Sequence, residues 1–328
     1  MSNTADVRKQ NKDRIRNYMR EGGFYTKQSL AALTGLSVAT CNTLLNEMSS
    51  AGEVTGEKKR LNQVGPGTMV YQLNEVYENR LCAYIEYQDG KPVVVSCLVT
   101  QTGNIAERCS LTVEKVSYKQ LEKIMKNLME EYPSVVQVIL GIPGIINDGI
   151  VYHSDFPELD EEPLAQKMKK CLQIPVIVDN DMHFKAYGYF KKEGKTDKVV
   201  TLANFPSYVL PGTATIHKGT VLSGANGLAG LVGVLTKSAE RESVCKTLNK
   251  EEGIPFVVKA IVSVISMVNP NLIVFTGDML GEEQLQKIKE FCQEYIPEEF
   301  MPEFKWKDSF DEYYVMGMYH SALEQTRG

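Results

Sequence analysis

The chain has 328 residues, 43% of them hydrophobic and 23% charged, with a formal net charge of −5. That length exceeds one ordinary domain, and the mix is that of a globular protein and not of a chain coating nucleic acid with its whole surface. No run approaches the roughly 20 apolar residues that span a bilayer, and the charged start MSNTADVRKQNKDRIRNYM lacks the apolar region of a secretory signal.

Seven cysteines, at 41, 82, 97, 109, 171, 245 and 292, show no CxxC spacing. An odd, dispersed set of this kind is expected as reduced thiols in the cytoplasm, with no membrane contact. Residues 1–60 hold ten Lys and Arg against six acids, a net +4, while the remainder carries −9. A basic head on an acidic body suits a DNA reader joined to a separate regulatory domain.

The first helix is expected over residues 11–21, with Ile15, Tyr18 and Met19 on one side and Gly22-Gly23 as its stop. Thr26 then caps a short helix, KQSLAALT, which Gly35 ends. Ser37 caps a third helix, VATCNTLLNEMSSAG, whose buried stripe is Cys41, Leu44, Leu45 and Met48. Helix, short helix, Gly-containing turn and third helix make a helix-turn-helix. The third helix would enter the major groove, with Val38, Ala39, Thr40, Asn42 and Thr43 free to meet base edges. Thr26, Lys27 and Asn46 are placed for phosphate contacts. Two β-like runs, 53–56 and 68–73, flank a basic Gly/Pro-rich loop and read as a wing offering Lys58, Lys59 and Arg60 to the backbone. The alternative is a three-helix head that binds protein.

Beyond a short join at Asn74–Asn79, strand-like and helical segments alternate. Strands are expected at 81–87, 92–100, 135–141, 174–179, 198–203 and 272–276. Helices are expected at 118–131, 162–172, 182–192, 256–268, 282–294 and 310–325. This alternation implies an α/β fold with mixed sheets in two lobes. The expected division is a winged helix-turn-helix over residues 1–75 and an α/β body over 76–328. Lobe one would take about 80–190 plus the last helix, 310–328, and lobe two about 191–309.

Three stretches carry a family resemblance: GIPGIIND followed by Gly149, IPVIVDNDMHFKAYGY and KGTVLSGANGLAG. With the N-terminal winged helix, the chain resembles the ROK (repressor, open reading frame, kinase) family. The resemblance implies a two-lobed, actin-like ATPase (ribonuclease H-like) body whose last helix returns to the first lobe. It also implies a cleft lined by Gly141, Pro143, Gly144, Asn180 and Asp181. In the family's kinases the residue matching Asp181 is the base that takes the sugar hydroxyl's proton; a carboxylate there can equally accept a hydrogen bond.

The chain departs from the family at the phosphate turns. YIEYQDGKPVVV lacks a Thr after Gly90, and ANFPSYVLPGTA puts Tyr208, Val209, Leu210 and Pro211 where small residues would cradle phosphate. The Glu and His of the family's zinc and sugar segment are replaced by Leu231 and Val234, and Cys245 is the one cysteine nearby. From these losses no catalytic residue, no metal and no cofactor is expected. The sequence reading is a non-catalytic ROK-type transcriptional regulator, a repressor by expectation. Its expected partners are a double-stranded DNA operator, a second copy of itself (a homodimer or a dimer of dimers) and a carbohydrate-like effector. The competing readings are an ATP-dependent sugar kinase and a degenerate scaffold. Asp155, Glu158, His153 and His183 are further polar candidates without a motif.

Overall fold

The computed structural model describes residues 4–60, 67–194, 197–207, 209–235 and 253–325. These fall into two compact units. The first runs up to Leu81 and adds residues 98–108 and 132–136; the second holds 82–97, 109–131 and 137 onward.

The first unit begins with helices α1 (Thr4–Met19), α2 (Lys27–Thr34) and α3 (Val38–Ser50), then strands β1 (Val54–Lys59) and β2 (Thr68–Leu73). α1 starts well before the apolar pattern does, because the mostly polar, exposed or half-buried residues 4–14 continue the helix. Local chemistry sets the boundaries of α2. Thr26 accepts from the Ser29 amide while the Ser29 hydroxyl answers the Thr26 backbone, and Gly35 closes the helix at φ 73° in the left-handed region. Ile15, Met19, Leu30, Cys41, Leu44, Leu45, Met48, Val54, Tyr71 and Leu73 form one core beneath these elements. β1 and β2 pair antiparallel from Val54 opposite Leu73 to Lys59 opposite Thr68. β1 therefore runs three residues past the expected end at Gly56, since β2 supplies partners for Glu57, Lys58 and Lys59.

A five-stranded sheet follows, in the order β5-β4-β3-β6-β9. Its members are β3 (Asn79–Gln88), β4 (Lys91–Val99), β5 (Ile105–Thr112), β6 (Val135–Ile142) and β9 (Val176–Asn180), with β7 (Ile145–Asn147) and β8 (Ile150–Tyr152) as a small hairpin after β6. Asp89 and Gly90, both at positive φ, make the two-residue turn between β3 and β4. β6 and β9 run parallel, from Val138 beside Val176 to Ile142 beside Asn180. Helices α4 (Tyr118–Glu131) and α5 (Leu164–Leu172) occupy the connections, and α6 (Asp181–Lys192) leaves directly from the end of β9.

The second five-stranded sheet has the order β12-β11-β10-β13-β14. It contains β10 (Val199–Asn204), β11 (Gly212–His217), β12 (Thr220–Val221), β13 (Leu272–Thr276) and β14 (Glu303–Trp306). β10, β13 and β14 are mutually parallel, and β11 turns back antiparallel on β10. Side chains alternate across this sheet as strand geometry requires. Ala203, Ile273 and Phe275 point into a core with α7 (Gly253–Val268) and α8 (Leu285–Gln293), whereas Val200, Leu202, Leu272 and Val274 point to α6 and α9 (Asp311–Gln325). Burial on both faces explains the near-continuous apolar run LIVF in β13. Mixed sheets covered by helices are the α/β architecture expected. Strands β5, β7, β8, β11, β12 and β14 lie outside the segments expected from sequence.

α6 and α9 cross at closest approach through two glycines. A β-carbon on Gly188 would sit 1.8 Å from the Tyr313 carbonyl oxygen, and one on Gly317 would sit 1.8 Å from that of Phe184. No helix among the described residues is long and apolar enough to cross a membrane.

Candidate functional site

In the head, the face of α3 opposite its buried stripe carries Ala39, Thr43 and Asn46, all exposed, with Val38 45% exposed at the first turn. Ser37 caps the helix by accepting from the Thr40 amide at 3.1 Å, and the Thr40 and Ser37 hydroxyls share a bond of 2.8 Å. The side chain of Asn42 is engaged by the Lys27 ammonium, which ties α2 to α3 on one shoulder. On the other shoulder Glu47 pairs with Arg8 and Lys12 of α1. Besides Lys27 and Asn42, two more expected contact residues are committed to local structure. Thr26 is the α2 cap, and Lys59 lies 2.8 Å from Glu57 and over the Phe24 ring at 3.0 Å. Lys58 and Lys59 lie on β1, correcting their expected place in the loop; Arg60 follows the strand and is exposed.

Within the head, Arg16 joins Glu53, whose side chain is 5% exposed, and Asp13 at 2.6 Å. Burial opposes the guanidinium charge, but the two carboxylates outweigh it and raise the Arg16 pKa.

The second candidate region gathers at the start of α6. Asn180, not Asp181, caps that helix: its Oδ1 accepts from the amides of Met182 at 2.8 Å and His183 at 3.2 Å. Its Nδ2 donates to the Gly144 carbonyl at 2.5 Å, which fixes the turn after β6 against β9. Asp181 is thereby left free of capping duty. Its Oδ2 lies 2.7 Å from Lys185 Nζ, both side chains being 13% exposed.

Asp181 stands on the wall shared by two cavities. The smaller, about 40 Å³, is lined by Pro143, Gly144, His153, Asp155, Asn180 and Asp181 on one side and by Asn204, Leu210, Thr213 and residues 227–231 on the other. The larger, about 420 Å³, takes in Glu86, Asp181, Lys185, Asn204, Thr276 and Asp278. Behind them Tyr314 is fully buried, and burial pushes its phenol well above the ordinary range. Lys185 sits over its ring at 4.8 Å.

Four of the five expected cleft residues, Pro143, Gly144, Asn180 and Asp181, come together here. Gly141 is the exception and corrects the sequence reading. A β-carbon on it would lie 2.2 Å from the Tyr314 hydroxyl, so its small size admits α9 instead of a ligand. Asp155 and His153 reach the small cavity. His183, buried at 6% exposure, turns away to Asp179 at 2.9 Å, and Glu158 faces Lys115 at 3.6 Å. Leu231 lines the cavity, Val234 is 62% exposed, and Tyr208 and Cys245 lie outside the described residues. Lys185 and Asn204 were not singled out from sequence; the four-residue spacing from Asp181 to Lys185 on one helix is a signal that points to the first of them.

A glucokinase of Halalkalibacterium halodurans is 27% identical over 174 residues, which is 49% of this chain and 52% of the relative, so the match spans about half of that protein. A ROK family transcriptional regulator, described as a homolog of the E. coli MLC protein, superposes over 98% of this chain and 100% of its own at a TM-score of 0.66 and 13% identity. A ROK family glucokinase from Streptomyces griseus, solved with glucose and AMPPNP, covers 73% of this chain and 98% of its own at a TM-score of 0.56 and 14% identity. At such identities the structural likeness shows the fold alone. The expectation of a chain without enzymatic activity is corrected by the glucokinase relative, which matches about half of this chain at 27% identity. Residues 89–250 match the ROK family, and a ROK family domain is therefore present in the chain.

Proposed function

We propose that the chain is a DNA-binding transcriptional regulator of the ROK type, with a winged helix-turn-helix over residues 1–75 and a carbohydrate-binding cleft at Asn180 and Asp181. The observation that carries the reading is the head itself. Three helices and a hairpin precede the ROK domain, and their third helix keeps Ala39, Thr43 and Asn46 exposed on one small, polar face. Such a face fits base edges in a major groove, and the basic α1 and β1 flank it for phosphates. The full-length coverage by the regulator, against 73% by the glucokinase, supports the same assignment. The test is selection from a random duplex pool by the purified chain. Enrichment of an inverted repeat with half-sites about one helical turn apart supports the reading; an unenriched pool contradicts it.

A second reading, sugar phosphorylation, is favoured by Asp181. A nearly buried carboxylate at a helix start, on the wall of both cavities, is placed to accept a proton from a hydroxyl. ADP release from ATP with glucose, abolished in Asp181→Asn, tests it.

A further inference from the structure

Lys27 is the first residue of α2, and Asn42 lies on the second turn of α3. With Ala39 three residues before it and Asn46 four after, Asn42 sits on the flank of the exposed face. The Lys27 ammonium donates to Asn42 Oδ1. It also stands 5.7 Å from the centre of the Tyr71 ring, which belongs to the core of the head. Both residues are half-buried, so the pair is held where the two helices meet and is still reached from solvent. A cation at the first position of a helix opposes the helix dipole, so helix stability does not account for Lys27 there.

The chemistry of the donor fixes how the amide points. An ammonium has donors and no acceptor, so the Asn42 oxygen is the atom that faces it, and Nδ2 is left with its N–H donors. An asparagine free at both ends pairs with adenine, accepting from N6 and donating to N7. Here the oxygen keeps a second lone pair, but any group that reaches it also meets the Lys27 charge. That charge repels the N6 amino donor of adenine and attracts the O6 of guanine. The joint thus offers donors, Asn42 Nδ2 and the remaining protons of Lys27, to whatever edge lies below it. Guanine is the base with two acceptors, O6 and N7, on its major-groove edge. We propose that Lys27 and Asn42 together read a guanine, Lys27 converting an adenine-reading asparagine into a guanine-reading pair. This readout rests on the DNA-binding reading and adds the base that the head selects.

The test is selection from a random duplex pool by the full chain and by its Lys27→Met, Lys27→Arg and Asn42→Ala variants, with each enriched pool sequenced. The position read by Asn42 is the one whose preference Asn42→Ala flattens while the other selected bases are kept. At that position the parent is expected to select guanine. Lys27→Arg still donates to the amide oxygen and is expected to keep guanine, whereas Lys27→Met frees the oxygen and turns the position to adenine. Retention of the other selected bases shows that a variant has folded. On the selected duplex, 7-deazaguanine at that position lacks the N7 acceptor and is expected to weaken parental binding roughly ten-fold. Four outcomes would overturn the proposal and leave the DNA-binding reading standing: no position flattened by Asn42→Ala, adenine selected there by the parent, guanine kept by Lys27→Met, or Lys27→Met weakening every sequence alike. A parental pool without enrichment would overturn both.

Discussion

Lys185 Nζ stands 2.7 Å from Asp181 Oδ2, one turn further along the same helix, with both side chains nearly buried. The pair forms because Asn180 takes over the helix cap and leaves the Asp181 carboxylate to the cavity wall. A charge so enclosed needs its partner, since breaking a buried pair leaves the other ion unsatisfied.

Asp181→Ala is therefore expected to lower stability by about 1–3 kcal/mol, from the unpaired Lys185. It is also expected to abolish the melting-temperature rise that a bound sugar gives the parent protein. Thermal-shift screening of sugars and sugar phosphates on both proteins checks this. A sugar that stabilises Asp181→Ala as much as the parent would remove Asp181 from the site.

Gly188→Ala and Gly317→Ala test the α6–α9 crossing. Each added methyl would meet a carbonyl oxygen 1.8 Å away, and helix backbones cannot move apart without opening the core around Tyr313 and Leu202. A loss of about 3 kcal/mol is expected from overpacking for each variant, measured by urea unfolding. Near-parental stability in both would show that the crossing is looser than described.

Periodicity in the sequence located β13 to the residue and α3 with its buried stripe, because both are dense in apolar residues at one clear spacing. β5 and β14 escaped notice for the opposite reason. β5 is exposed on every residue and β14 packs only partly, so neither shows the apolar alternation that marks a half-buried strand. Asn180 and Asp181 were legible as a pair, yet their division of labour depends on the Gly144 carbonyl, 36 positions away. Likewise Gly141 looked like a cleft residue because what its missing side chain admits, Tyr314, lies near the far end of the chain.

Glu53→Gln should destabilise the head. Glu53 is almost wholly buried under the Arg16 guanidinium, and Gln keeps the shape while removing the charge. A loss of about 2 kcal/mol is expected, below the full cost of a buried pair because Arg16 remains 24% exposed. Hydrogen exchange of the α3 amides should rise in this variant. Unchanged protection would mean that the apolar core alone holds the helices.

The Tyr313 hydroxyl donates to Glu193, and with Lys307 and Lys192 nearby it holds the Glu193 carboxyl below the usual range. A depressed carboxyl contributes stability above its unfolded value and loses it as pH falls through the folded one. Glu193→Gln is thus expected to cost roughly 0.5–1 kcal/mol at neutral pH, allowing for solvent screening, and nothing in acid. Denaturant melts between about pH 3 and pH 7 should show the variant and parent curves converging at the acid end. A constant gap across that range would assign the effect to packing.

The most direct measurement of the central claim is fluorescence anisotropy of the full chain on duplex DNA across a salt series, with a Lys58→Ala/Lys59→Ala/Arg60→Ala variant beside it. If the head binds DNA through phosphates, log K falls linearly with log salt for the parent. The triple variant then binds more weakly, with a slope shallower by about two to three. Absence of binding at low salt, or identical slopes for the two proteins, would contradict a DNA-reading head flanked by this wing.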